Sequence, residues 1–128
     1  MKDSVANQKS WTQWFEIPVL DFERAKNFYE TVFDTEIHAM DLGELKMGVF
    51  PHKDVGCALC QHPDFYKPGQ NGPLVYMSAE PDLQVFQDRV EAAGGSVQVP
   101  KKQISPEHGY MCVFTDSEGN RLALHSMS

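Results

Sequence analysis

The chain has 128 residues, enough for one ordinary domain with its own core. It carries 11 Lys and Arg against 18 Asp and Glu, a formal net charge of −7, with 41% hydrophobic and 23% charged residues. That balance argues against sequence-independent binding to phosphate backbones and against docking on anionic lipid, which both need clustered Lys and Arg. No apolar run reaches the roughly 18 residues that suggest a membrane span. The opening MKDSVANQKS lacks the apolar core of a secretory signal, and three cysteines cannot all pair with one another. A soluble cytoplasmic protein with reduced thiols is expected.

Residues 1–10 are polar without a period and read as a flexible N-terminal arm. Over 14–19 the chain alternates, with Phe15, Ile17 and Val19 on one side and Trp14, Glu16 and Pro18 on the other. This is a strand, ended or edged by its proline. Helical spacing follows: Ala25, Phe28, Tyr29, Val32 and Phe33 form one apolar stripe, and Asp21 stands where an N-cap belongs. Residues 35–40 and 44–50 read as strands around an Asp41-Leu42-Gly43 turn, 51–54 as a second turn, and 55–61 as a third strand. Residues 62–73 hold three Pro and two Gly, a loop that divides the chain.

After the loop the order repeats. Residues 74–79 form a strand, and Asp82 caps a helix with Leu83, Phe86, Val90 and Ala93 inward and Gly94-Gly95 at its end. Residues 97–101 read as a short strand, 102–108 as a loop able to act as a lid, and 110–115 as a strand. A turn over 116–120 leads to the last strand, 121–125. Phe28 and Phe86 are expected to bury equivalent helices on their sheets. Asp21 and Asp82 lie 61 residues apart, close to half of the 128. The pattern therefore implies an α+β fold of two tandem βαβββ modules, about 11–62 and 73–127, in a single domain over 11–128.

Four patterns carry a resemblance. They are Phe15-Glu16-Ile17-Pro18-Val19-Leu20-Asp21, Arg24-Ala25-Lys26-Asn27-Phe28-Tyr29, Ala93-Gly94-Gly95, and Asp116-Ser117-Glu118-Gly119-Asn120-Arg121-Leu122. Their order and spacing resemble the vicinal oxygen chelate superfamily of glyoxalase I, bleomycin resistance proteins and extradiol dioxygenases, with Ser117 where a proline is usual. The resemblance implies that the modules form a curled mixed sheet around a cleft, and that the protein is a homodimer. In the superfamily's enzymes a divalent metal is held there by His, Gln or Glu from four strands. Carried over by position, those places fall on Trp14, on the neighbourhood of Ala58 with Cys60 next on that face, on Leu74 or Tyr76, and on Ala123. Trp14 and Ala123 cannot bind a metal, so the resemblance here implies a cleft without the usual metal site.

Period 2 puts Glu16 on the side of Trp14 and His125 on the side of Ala123. Glu16 and His125 are thus candidate catalytic groups, a general base and its partner, or two ligands of an unusual metal site. The plainer alternative is a surface ion pair for Glu16 and an exposed terminal histidine. Trp14, Glu16, Tyr76, Ala123 and His125 form the candidate ligand pocket, with Phe114 or Met111 adding apolar lining. In a chain with 11% aromatics the same residues more often simply fill space. Cys57 and Cys60 have redox spacing, but a strand sends them to opposite faces, and with Cys112 they read as small buried hydrophobes.

The expected function is binding of a small organic ligand in the cleft, either to sequester it, as the bleomycin resistance branch implies, or to transform it. An acidic surface suits a cationic ligand. An enzyme would be of lyase, isomerase or dioxygenase type. No cofactor is expected, a divalent metal being unsupported at the mapped positions, and neither nucleic acid nor membrane is an expected partner. The alternative is a metal-dependent lyase or isomerase of glyoxalase type whose displaced site draws on Gln13, Glu16, Cys60 and His125.

Overall fold

The computed structural model describes residues 8–128, so most of the arm expected over 1–10 lies outside the described residues. Module 1 runs β1 (Trp14–Pro18), α1 (Phe22–Phe33), β2 (His38–Leu42), β3 (Leu45–Val49) and β4 (Gly56–Gln61). Module 2 repeats the order as β5 (Tyr76–Ser78), α2 (Leu83–Val90), β6 (Ser96–Ser105), β7 (Gly109–Thr115) and β8 (Arg121–Ser126). Each module is a four-stranded mixed sheet, ordered β1-β4-β3-β2 and β5-β8-β7-β6, and in each the first strand runs parallel to the last.

The helices form for the local reasons the sequence suggests. Asp21 Oδ1 accepts from the Arg24 amide at 3.1 Å and Asp82 Oδ1 from the Gln84 amide at 2.9 Å. A second cap joins each helix to its own sheet. Gln61, at the end of β4, accepts from the Phe22 amide at 2.7 Å, and Ser126, at the end of β8, from the Leu83 amide at 2.9 Å. The repeat thus extends to how orphan helix amides are satisfied. Asp34 closes α1 in the left-handed conformation at φ 51°. After α2 the chain turns through Gly94 at φ +110°. Gly95 then passes so close to the core that a Cβ would sit 2.4 Å from the Thr115 carbonyl and 2.7 Å from Phe28.

The core lies between the sheets and the two helices. Phe28 is fully buried, edge-on to Tyr29 at 4.9 Å and stacked on Phe114 of module 2 at 6.1 Å. Phe86 departs from expectation: it is only half-buried, packed on Phe33 at 5.5 Å under the guanidinium of Arg89. Leu83 and Val90 supply the fully buried contacts of α2 instead.

The expected lid over 102–108 is corrected too. β6 continues to Ser105 with register shifts along its length, and the turn shrinks to 106–108, closed by the His108 amide on Ser105 Oγ at 3.0 Å. β6 is a sheet edge, where Pro100 is tolerated and polar side chains need no apolar alternation. The hairpin of module 1 likewise turns at Gly43-Glu44, with Gly43 at φ +86°, so its first strand starts at His38 rather than residue 35. No helix among the described residues is long and apolar enough to cross a membrane.

Candidate functional site

Strand alternation sorts the side chains onto two faces. Ile17, Cys57, Leu59, Met77, Cys112, Phe114, Leu122 and Leu124 turn to the helices and join the core. Phe114 is therefore core and not pocket lining, since it is fully buried against Phe28. Trp14, Glu16, Ala58 and Cys60 take the opposite face of module 1, and Tyr76, Ser78, Met111, Ala123 and His125 that of module 2.

Ladder register places these residues relative to one another. Glu16 lies beside Ala58, which is fully buried, and Tyr76 lies directly beside Ala123, also fully buried. Trp14 is 39% exposed and Tyr76 48%. His52, on the turn before β4, packs edge-on to Trp14 at 5.5 Å, its Nδ1 2.8 Å from the Phe50 carbonyl. Gly56 makes room for it: a Cβ there would stand 2.5 Å from the imidazole.

Glu16 is held by two aromatic donors. Trp14 Nε1 donates to Oε2 at 3.3 Å, and Tyr66 Oη donates to Oε1. Tyr66 comes from the loop between the modules and has no signal in the sequence pattern. Its hydrogen bond to Glu16, then partial burial, raises its phenol pKa above the ordinary value. Cys60 adjoins the pair; burial first, then the Glu16 charge, pushes its thiol up to about 11. Burial likewise lifts Cys57 to about 12 and Cys112 to about 11, so all three free thiols are protonated at neutral pH. His125 is engaged elsewhere, its Nε2 2.6 Å from the His108 carbonyl. Glu16 and His125 thus have separate hydrogen-bond partners. Gln13 is exposed just ahead of β1.

At the places to which the resemblance carries the metal ligands stand Trp14, Ala58 with Cys60 next on its face, Leu74 or Tyr76, and Ala123. The indole of Trp14 and the methyl of Ala123 are not donors for a divalent cation. Among the described residues no three His, Cys, Asp or Glu side chains gather as a possible cage.

Two hollows lie where the modules meet. One, of about 260 Å³, is bounded by β1, the start of β8 and the 67–73 part of the linking loop, with Glu16, Lys67, Asn71 and Arg121 on its walls. The other, of about 450 Å³, lies between the start of β4 and β5 and is lined by Phe15, Phe33, Phe50, His52, Tyr76 and Met77 among others.

The closing turn acts at this junction as structure. Glu118 is buried, and its Oε1 accepts from the Leu20 and Asp21 amides at 2.9 and 2.8 Å. Arg24 Nε meets its Oε2 at 2.7 Å. Asp116 accepts from Tyr29 Oη at 2.6 Å and from the amides of Glu118 and Asn120 at 2.8 and 2.9 Å. Asn120 Nδ2 reaches the Pro18 carbonyl at 2.7 Å.

The family profile described as Glyoxalase/Bleomycin resistance protein/Dioxygenase superfamily matches residues 11–124. The chain belongs to that superfamily. Members of known structure share its fold. A glyoxalase/bleomycin resistance protein from Albidiferax ferrireducens T118 superposes with a TM-score of 0.74 at 16% identity, over 91% of this chain and 98% of that one. The fosfomycin resistance protein FosX from Mesorhizobium loti gives 0.63 at 20% identity, covering 94% of each chain. A glyoxalase I mutant from Zea mays gives 0.69 at 15% identity, over 89% of this chain but 45% of the maize protein. No curated protein matches the chain in sequence. At these identities the likeness establishes the fold alone.

Proposed function

We propose that this superfamily member binds a small organic molecule on the sheet face that carries Trp14, Glu16, Tyr76 and Ala123, without the usual divalent metal, and sequesters or transforms it. The observation that carries this reading is an indole, Trp14, and a methyl, Ala123, at two of the places to which the resemblance carries the metal ligands. Trp14 offers a flat, partly exposed ring beside an oriented carboxylate, and Tyr76 a second ring over Ala123. A ring stacked on such a face gains about 0.5–1.5 kcal/mol beyond area burial. On this face Trp14, Glu16 and Tyr76 are exposed while Ala58, Cys60 and Ala123 are fully buried, and Met40, Leu42 and Ile104 are exposed on the edge strands β2 and β6. A homodimer with twofold symmetry, working in the cytoplasm, would cover such edges and enclose the ligand.

The test compares wild type with Trp14→Ala by thermal shift against benzyl alcohol, indole and quinoline. At least one should stabilise the wild type, and the variant should keep its fold and lose that stabilisation. Equal response of both proteins would overturn the reading. Metal analysis tests the other half. One metal ion per chain retained through dialysis would favour a lyase or isomerase with a displaced site around Glu16 and Cys60, which Tyr66 draws together. Light scattering near the mass of one chain, 14.5 kDa, would exclude the dimer.

A further inference from the structure

The chain has three arginines, and the structure anchors two of them. Arg24 pairs with Glu118 through Nε at 2.7 Å and Nη2 at 3.1 Å, and Arg89 Nη1 donates to the Val32 carbonyl at 3.0 Å. Arg121 is different. Its Nε is buried and has no hydrogen-bond partner among the described residues. A buried, charged N–H without an acceptor is among the least tolerated features of a folded chain.

Arg121 lines the hollow of about 260 Å³, and so does Lys67. Neither forms an ion pair within 4.0 Å among the described residues. Glu16 is the one carboxylate on these walls, and both its oxygens already accept from Trp14 and Tyr66. Asn120 is engaged as well, through Gly69, Pro18 and Asp116, whereas Asn71 stands exposed at the rim. Val75 and Leu122 add apolar wall. Two cations and one carboxylate, Glu16, therefore face one cavity, which leaves its walls net positive in a chain whose net charge is −7. The local charge of these walls, unlike the acidity of the whole chain, favours an anionic group.

We propose that this hollow binds an oxoanion, the carboxylate or phosphate group of a small organic ligand, between Arg121 and Lys67. The two Nη groups of Arg121, which are not closed off as Nε is, offer a planar edge that matches either group, and the flexible ammonium of Lys67 supplies a second, adjustable charge. The inference rests on the reading that the chain takes a small organic ligand, and it names that ligand's class. Glu16 joins the hollow to the face of Trp14, so an anionic head at Arg121 would let an apolar body extend toward the indole.

Four probes separate the possibilities: benzoate, phenyl phosphate, benzyl alcohol and inorganic phosphate, titrated calorimetrically. Benzoate or phenyl phosphate should bind wild type about tenfold or more tightly than benzyl alcohol, and which of the two is preferred identifies the head group. Lys67→Met, on an exposed loop, should reduce that preference severalfold, and Arg121→Gln should abolish it. Arg121→Lys, which keeps the charge without the fork, should fall between and guards against a misfolded Gln variant. Equal affinity for benzyl alcohol and the two anions would leave the small-ligand reading standing and overturn the oxoanion site. Inorganic phosphate stabilising wild type but not Arg121→Gln, with no aromatic probe bound, would do the reverse. Binding of none of the four would overturn both.

Discussion

At one junction between the modules the 116–120 turn of module 2 reaches into module 1. At its counterpart the 50–56 segment of module 1 faces β5 across a hollow of about 450 Å³. The two places are related by the internal repeat, since one is bounded by β1 and the start of β8 and the other by β5 and the start of β4. They are built differently. Glu118 and Asp116 accept from backbone and side-chain donors of the opposite module, and Asn120 donates to its Pro18 carbonyl, all at 2.6–2.9 Å. No such carboxylate spans the other junction among the described residues; aromatic rings and His52 line it. A duplicated unit generates two junctions, and fixing one with buried polar contacts is enough to set how the modules dock. The other is then free to stay open. Openings of this kind come from the less stable parts of a fold.

The largest test reaches beneath both junctions. Phe28 is fully buried and touches module 2 through Phe114, so Phe28→Ala should cost about 3–5 kcal/mol in urea denaturation. Phe86 is half-buried at the edge of the same core, and Phe86→Ala should cost about 1–2 kcal/mol. Equal losses would mean that the core does not run through Phe28 from one module to the other.

The next test removes the bridged junction. Glu118→Ala strands the Leu20 and Asp21 amides and should cost about 2–4 kcal/mol by the same measurement. The carboxylate also gives this junction a pH signature. Burial alone would raise its pKa, but Arg24 and the Asp21, Ser117 and Leu20 donors outweigh burial and hold it below the ordinary 4.5. The unfolded chain therefore binds its proton first as pH falls. The stabilisation is complete above the unfolded value and is lost as pH drops through the folded one. Melting temperatures between about pH 6 and pH 3 should fall more steeply for wild type than for Glu118→Gln. Parallel slopes would remove Glu118 from the acid response.

How much of this is legible in the sequence follows the range of each interaction. Asp21 and Asp82 announce their helices because an N-cap acts within three residues, and the α1 stripe survives because Ala25, Phe28, Tyr29 and Val32 are buried and Phe33 packs against them. The start of β6 reads as a strand over 97–101, but its continuation to Ser105 escapes notice because Lys102, Gln103 and Ile104 are exposed in a row, with no period 2. The same limit governs the site. Trp14 and Ala123 can be placed because turns fix their register. Tyr66 cannot, because it lies in a Pro- and Gly-rich loop where no periodicity tells where a side chain points. The choice between Phe114 and Met111 stays open because alternation along one strand does not say which parity faces the helices; the structure gives Met111 to the pocket face. Glu118 reads only as part of a turn, its partners lying in the other half of the chain.

The smallest expected effect tests the open junction from its own side. His52 is exposed, its hydrogen bond is to the nearby Phe50 carbonyl, and its main packing is the edge contact with Trp14 at 5.5 Å. Nothing in that list ties module 1 to module 2. His52→Ala should therefore change stability by no more than about 0.5 kcal/mol, as exposed substitutions generally do. The indole is the better reporter. Losing the imidazole changes the surroundings of Trp14 directly, so its emission should shift while the denaturation midpoint stays in place. Trp11 is 86% exposed and contributes a constant background that Trp11→Phe removes. A loss as large as that of Glu118→Ala would mean that His52 holds the modules together, and the contrast between a bridged and an open junction would fail. An unchanged emission with unchanged stability would mean that the imidazole does not rest on Trp14 in solution. The face proposed for ligand binding would then be wider than the contact implies.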